Sequence, residues 1–193
     1  LLGVSLNFFK SYTNNLLTMK SLPEITGEGY YWSNDGSLEN IGADLGLRVK
    51  LINTKDWKWE MGANVAAYKN KITALPDGDY TTTLYGANVL TSVGRPAGVF
   101  YGYETAGVYA TQQEAEADGH TLVATTGEVT AFGAGDMRFV DHVDDNIINE
   151  KDMVVIGDPN PDFYGNLYSN LSYKRFSLSM NFNYSYGNDI YNY

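Results

Sequence analysis

The residues best suited to chemistry in this 193-residue chain lie between Gly133 and Phe163, GAGDMRFVDHVDDNIINEKDMVVIGDPNPDF. Counting Asp141 as position 1 puts Asp145 at 5, the Ile147 carbonyl at 7 and Asp152 at 12. That spacing approximates a calcium loop built from carboxylates and one main-chain oxygen. Two positions depart from it: Val143 stands where the third-position oxygen would be, and Asn146 stands where the loop has its turn glycine. Asparagine tolerates left-handed backbone, so the turn survives while the ligand set loses an oxygen. Two readings stay open, a weak site with calcium as cofactor and a metal-free acidic turn held by its own hydrogen bonds.

Aromatic side chains are the second group, because sugar rings present apolar faces that stack on tyrosine and tryptophan. Tyr30, Tyr31 and Trp32 fall in one connecting segment and Phe100, Tyr101 and Tyr103 in another. All six are candidates for substrate or partner contact, against the plainer role of loop packing. Tyr68 and Tyr164 fall on positions expected to face a lumen. Catalysis finds little support. The only histidines, His120 and His142, sit in polar loop sequence, and no Gly-x-Ser-x-Gly or zinc-binding spacing occurs. Asp144 and Asp145 are adjacent in a solvated turn, whereas a glycosidase pair must face each other across a cleft. The chain is therefore read as a non-enzyme.

The elements that position these residues announce themselves by period-two alternation. From Ser177 to Gly187, Leu178, Met180, Phe182, Tyr184 and Tyr186 share one face and Ser, Asn and Gly the other. Residues 40–51 and 57–68 repeat the pattern, and 4–12 and 163–173 follow it with more noise. Runs of about 9 to 11 residues suit tilted transmembrane strands, while globular strands are commonest at about 5 to 6. Small amide and hydroxyl residues suit a wet lumen, and terminal aromatics such as Trp57, Trp59, Tyr173 and Phe176 suit an interfacial girdle. The predicted fold is all-β, an antiparallel transmembrane β-barrel segment. The rival is a soluble carbohydrate-binding β-sandwich with one wet face. No apolar run is long enough for a spanning helix, and the first residues lack the pattern of a signal peptide.

Connections fall into two classes. Asn53–Asp56 and Tyr173–Phe176 are tight turns, whereas 20–39 and 73–161 are long, the asymmetry of outer-membrane barrels. Strands are expected at 4–19, 40–51, 57–72, 163–173 and 177–187. Residues 73–161 form a long extracellular loop within a single unit of 1–193. This loop holds 14 acidic side chains against Arg95, Arg138 and Lys151, a net −11 in a chain of net −10. Such a field disfavours nucleic acid and other polyanions. Thr111-Gln-Gln-Glu114 predicts a capped short helix ended by Gly119. Both ends of the chain read as cut from a longer one.

Several segments together resemble one family: GRPAGVFYGY at 94–103, GVY at 107–109, GDMRFVD at 135–141, Asp152, IGDPNP at 156–161, YKRF at 173–176 and GNDIYN at 187–192. In this order and spacing they resemble the SusC/RagA family of TonB-linked outer-membrane transporters, from end to end. The resemblance implies a fragment from the C-terminal half of a 22-stranded plugged barrel in the bacterial outer membrane. It further implies energised uptake of glycans or peptides in Bacteroidetes. A SusD-like surface lipoprotein would sit over the outer loops, and TonB would engage a part of the protein outside this chain.

Overall fold

The structure is a computed structural model that describes every residue except Pro23, Asp77, Thr125 and Tyr193, with the side chains of 18–21, Glu24, Tyr30 and Asp35 also outside the description. Three long strands come first: β1 (Leu2–Ser21), β2 (Tyr30–Asn53) and β3 (Trp57–Ala74). An insert of short elements follows, comprising β4 (Tyr80–Leu84), β5 (Ala87–Thr91), β6 (Val99–Tyr103), β7 (Thr105–Val108), helix α1 (Gln112–Asp118), β8 (Thr121–Val123), β9 (Val129–Ala131), β10 (Met137–Phe139), β11 (Ile147–Ile148) and β12 (Met153–Gly157). Two further long strands, β13 (Phe163–Tyr173) and β14 (Phe176–Tyr186), close the sequence.

The five long strands form one antiparallel sheet in the order β1-β2-β3-β13-β14, so β13 returns beside β3 after the insert. The register aligns the alternation of all five strands. Leu6, Leu45, Val65, Gly165 and Tyr184 form one cross-strand row on the apolar face, and Ser5, Gly46, Asn64, Asn166 and Asn183 form the neighbouring row on the polar face. A one-residue slip would exchange the two faces. The apolar face is bare: Leu6 is 57% exposed, Phe182 63% and Leu178 53%. A soluble sandwich would bury that face against a second sheet, so the sandwich expectation fails and the sheet is the wall of an antiparallel transmembrane barrel.

The wall satisfies its own polar groups on the lipid side. Ser169 is a polar intruder there, and its hydroxyl accepts from the Trp59 indole N–H at 3.0 Å. Aromatic rings collect at both ends. Trp57 packs on Tyr173 at 4.2 Å between centroids near the tight turns, and Phe163 stacks on Tyr186 at 5.0 Å near the insert. The two tight turns also brace each other, since the Lys174 N–H donates to the Asp56 carbonyl at 2.8 Å.

Strand boundaries extend beyond the alternating runs. β2 begins at Tyr30 rather than Asn40, and Tyr31 and Trp32 pair with Lys20 and Met19 of β1. The backbone ladder needs no alternation once both faces of a hairpin meet water, so periodicity marks the lipid-facing part of a strand and misses the rest. The first connection therefore shrinks from 20–39 to 22–29.

Unlike the wall, the insert has an interior. β12, β6, β5 and β4 form a four-stranded sheet, β7 pairs with β10, and β9, β8 and β11 form a third group in which β11 runs parallel to β8. Val99, Tyr109, Ala115 and Ile148 are buried, as is the carboxylate of Asp152. Helix α1 has the expected Thr111 cap, whose hydroxyl accepts from the Glu114 N–H, and it ends at Gly119 with φ of 73°. Glu114 accepts from the Ala110 N–H one residue ahead of the cap, so the reciprocal half of the box is displaced by one position.

Candidate functional site

The polar face of the wall is built from hydrogen-bonding side chains on adjacent strands, mostly uncharged beside the carboxylate of Asp44. Asn64 donates to Asn166 at 2.8 Å, Asn166 donates to Asn181 at 3.4 Å, and Asn7 donates to Asp44 at 2.9 Å. Toward the turn end the same face carries one ion pair, Arg48 to Glu60 at 2.7 Å. Glycine makes room on this face for large rings: a Cβ on Gly62 would collide with the Tyr168 ring. Nearer the insert, Tyr68 and Tyr164 meet edge to face at 6.1 Å. They line a hollow of about 640 Å³ with Asn183 and Ser185. This surface offers amide and phenol groups beside aromatic faces, a chemistry that suits neutral polar polymers.

Asn160 sits at the centre of the contacts that fasten the insert to the wall, beside the backbone bonds of Ile72 with Gly94 and Arg95. Asn160 Oδ1 accepts from Asn70 at 2.7 Å and from the Tyr68 hydroxyl at 3.4 Å, while its Nδ2 donates to the Ala97 carbonyl at 3.0 Å and to Asp158 at 2.7 Å. Asn70 in turn accepts from the Ala97 N–H. Asp158 and Asp189 exchange backbone contacts, with the Asp158 N–H donating to the Asp189 carboxylate at 2.7 Å and the Asp189 N–H donating to the Asp158 carbonyl at 2.8 Å. Three motifs far apart in sequence thus converge: 94–98, 156–161 and 187–190. Sequence reasoning quoted them only as separate segments of the family resemblance, and no local pattern signals that they meet.

The acidic turn is wired to its own backbone. Asp141 accepts from the N–H groups of Val143, Asp144 and Asn146 at 3.1, 2.6 and 2.6 Å. Asp152 accepts from His142, Val143 and Asn149 at 3.0, 3.2 and 2.9 Å, and Asp145 accepts from Ile147 at 2.9 Å. The Ile147 carbonyl is taken by the Asn149 side chain at 3.3 Å. Asp144 and Asn146 adopt positive φ, 62° and 61°, which aims successive N–H groups inward. Burial pushes the Asp141 carboxyl upward, but those amides outweigh it and hold the group below the usual range. A cation at the centre would face N–H groups rather than oxygens, so Asp141, Asp145, Ile147 and Asp152 fit calcium poorly. Among the described residues no group of three or more acidic, histidine or cysteine side chains converges as a metal set.

A second polar cluster locks the insert's interior. Asp118, at the end of α1, accepts from the Tyr109 hydroxyl at 2.6 Å and from Arg138 Nε and Nη2 at 3.1 and 2.9 Å. His120 Nδ1 lies 3.2 Å from the same carboxylate. The Tyr109 hydrogen bond, helped by Arg138, holds the Asp118 carboxyl down. Burial, followed by the neighbouring Asp118, pushes the Tyr109 phenol up to about 12.

The aromatic candidates separate into two places. Tyr31 and Trp32 stand on the extended β1–β2 hairpin, 40% and 63% exposed, and the side chain of Tyr30 lies outside the described residues. Phe100, Tyr101 and Tyr103 belong to β6, a strand with neighbours on both sides. Phe100 faces Tyr191 at 6.2 Å and Tyr103 faces Phe139 at 5.5 Å, so both rings pack inside the structure as well as meeting solvent.

No protein-family profile matches the chain. TonB-dependent receptor P3 of Formosa agariphila is 32% identical over 202 residues, covering 100% of this chain and 19% of the receptor. TonB-dependent receptor SusC of Bacteroides thetaiotaomicron is 28% identical over 183 residues, covering 93% and 17%. The chain thus spans about a fifth of these relatives' length. The RagAB peptide transporter has the same fold over 96% of the chain and 19% of its own, with TM-score 0.65 and 24% identity. The "closed-closed" RagAB importer gives TM-score 0.67 at 23% identity, over 97% of the chain and 19% of its own. Wall, insert and end-to-end similarity agree, and the chain belongs to the SusC/RagA-type TonB-dependent receptors.

Proposed function

We propose that this chain forms part of the wall and an extracellular cap of an outer-membrane importer that takes up oligosaccharides or oligopeptides with energy from TonB. The observation that carries this reading is the continuity of two surfaces. The amide-lined inner face of the wall leads, through Tyr68 and Asn160, directly into the folded acidic insert. Tight turns at the other end support an outward position for the insert, following the asymmetry of outer-membrane barrels. The wall guides cargo by neutral hydrogen bonding, and the cap, residues 73–161, is the surface on which a SusD-like lipoprotein closes. Phe100, Tyr101 and Tyr103 support the cap, while Tyr31 and Trp32 are free to meet cargo or lid. The acidic field of the cap favours neutral or cationic cargo over polyanions.

The test is uptake by cells lacking the receptor and cells complemented with it, using labelled oligosaccharides and labelled oligopeptides in parallel. Uptake of one class should disappear on deletion, return on complementation and stop when the proton gradient is collapsed. Unchanged uptake of both classes in the deleted strain would overturn the proposal. The class that is lost identifies the cargo.

A further inference from the structure

The outer face of the wall changes character just below the insert. Odd-numbered residues of β3 run Met61, Ala63, Val65 and Ala67 along the lipid side and then become Lys69 and Lys71. The register sets Lys69 beside Ile41, and Ile41 beside Lys10 of β1, so the three lysines collect on one face. Lys10 is paired with Glu39 at 3.3 Å. Lys69 and Lys71 are exposed and form no ion pair among the described residues. A lysine on a lipid-facing position is costly at the bilayer midplane and well tolerated at the interface. These two therefore stand at the headgroup level.

They also line a hollow of about 770 Å³. Its apolar side is Phe8, Ile41, Ala43 and Ala67, and loop residues Gly94, Pro96 and Pro161 close it from the insert side. The alanines keep the floor shallow, so a chain-like apolar group can lie against the wall. Asp158 and Asp162 line the far side, and Asp158 Oδ1 is occupied by the Asn160 backbone and side-chain N–H groups. Residues two apart on one strand face stand about 7 Å from each other, a span that two ammonium groups can close around a single phosphate.

We propose that Lys69 and Lys71 form a binding site for the phosphorylated headgroup of a membrane lipid, whose acyl chain lies over Phe8, Ile41, Ala43 and Ala67. The site gives the wall a fixed depth in the bilayer on the side that carries the insert. It rests on the membrane placement proposed above but not on the identity of the cargo.

The experiment uses the receptor carrying this chain, purified in mild detergent, with bound phosphorylated lipid measured by native mass spectrometry. Three variants are compared with the unmodified protein: K69Q/K71Q, K69R/K71R, and K55Q/K174Q at the turn end as a charge control. The glutamine pair should weaken retention by roughly tenfold to thirtyfold, about 1 kcal/mol per lysine. The arginine pair and the turn-end control should retain the lipid, and millimolar inorganic phosphate should not displace it. Equal retention by K69Q/K71Q overturns the site, and so does an equal loss in the turn-end control. Complete displacement by inorganic phosphate would reduce it to an anion site without lipid. Absence of any lipid from every sample would overturn the membrane placement as well.

Discussion

The wall and the insert are cut from one chain, yet they obey opposite burial rules. In the wall the large apolar side chains face outward, with Phe8 76% and Phe182 63% exposed, and polar side chains fill the inner face. In the insert Val99, Tyr109 and Ile148 are between 0% and 2% exposed, and the charged groups sit on the surface or are fully wired. Two solvents explain the contrast. Lipid removes the reason to hide leucine and makes an unpaired backbone group costly, so the wall is held by its hydrogen-bond ladders. Water restores the hydrophobic drive in the insert, which needs a small core of its own. The Asn160 junction is where one regime passes into the other.

The largest expected effect falls on the insert's buried carboxylate. Asp152→Ala strips the acceptor from the N–H groups of His142 and Asn149 and leaves Val143 only its bond to Asp141, and each buried orphan costs about 1 to 3 kcal/mol. Hydrogen exchange across the receptor should show the amides of 137–153 losing protection while β13 and β14 keep theirs. Loss of protection in both regions together would mean that wall and insert are one cooperative unit, and the contrast would break.

A charge placed in the wall probes the other side. Leu45→Arg puts a guanidinium on the lipid face and should cost about 2 to 4 kcal/mol if the site lies near the midplane. Gly46→Arg is no fair partner, because a Cβ there already meets Ser5 and Asn64. Asn183→Arg on the inner face is better suited, and it should be nearly neutral in denaturant titrations of the folded barrel. Equal destabilisation by both would contradict the assignment of faces.

These two regions were also unequally legible. Alternation, noisy over 163–173 and strict over 177–187, located β13 at its observed bounds and β14 within a residue, because a two-solvent sheet writes its faces into every second side chain. Helix α1 was readable from Thr111 and Gly119, whose capping chemistry is local. The nine short strands of the insert were not readable among the described residues: runs of two to five residues carry no measurable period. For the same reason 20–39 looked like a loop although β2 already starts at Tyr30. The acidic turn was located correctly, but whether its carboxylates turn toward a cation or toward amides depends on backbone conformation at Asp144 and Asn146. The Asn160 junction was invisible, since its partners Asn70 and Ala97 lie 90 and 63 residues away.

A pH titration should separate the regions next. Tyr109 is raised to about 12, so its contribution is complete below the ordinary phenol range and disappears as pH climbs through about 12. Two units correspond to about 3 kcal/mol. Asp118 is lowered, so its contribution holds above the ordinary carboxylate range and disappears as pH falls through its depressed value. The insert should therefore loosen at both extremes, with tyrosinate absorbance reporting the alkaline limb, and Tyr109→Phe should remove that limb. An alkaline transition that persists unchanged in Tyr109→Phe would assign it to another group.

Calcium should produce the smallest effect. Every oxygen that the twelve-residue spacing offers from Asp141 and Asp152 already accepts an N–H, and Asn149 occupies the Ile147 carbonyl. A cation would have to share oxygens already committed to amides, in a turn that offers no side-chain oxygen at Val143, so its net gain should be small. Melting of the receptor, followed with and without millimolar calcium after chelation, should show no shift. A rise in melting temperature that Asp145→Asn abolishes would mean that the turn rearranges around the ion, and the insert's apparent self-sufficiency would then be conditional on metal.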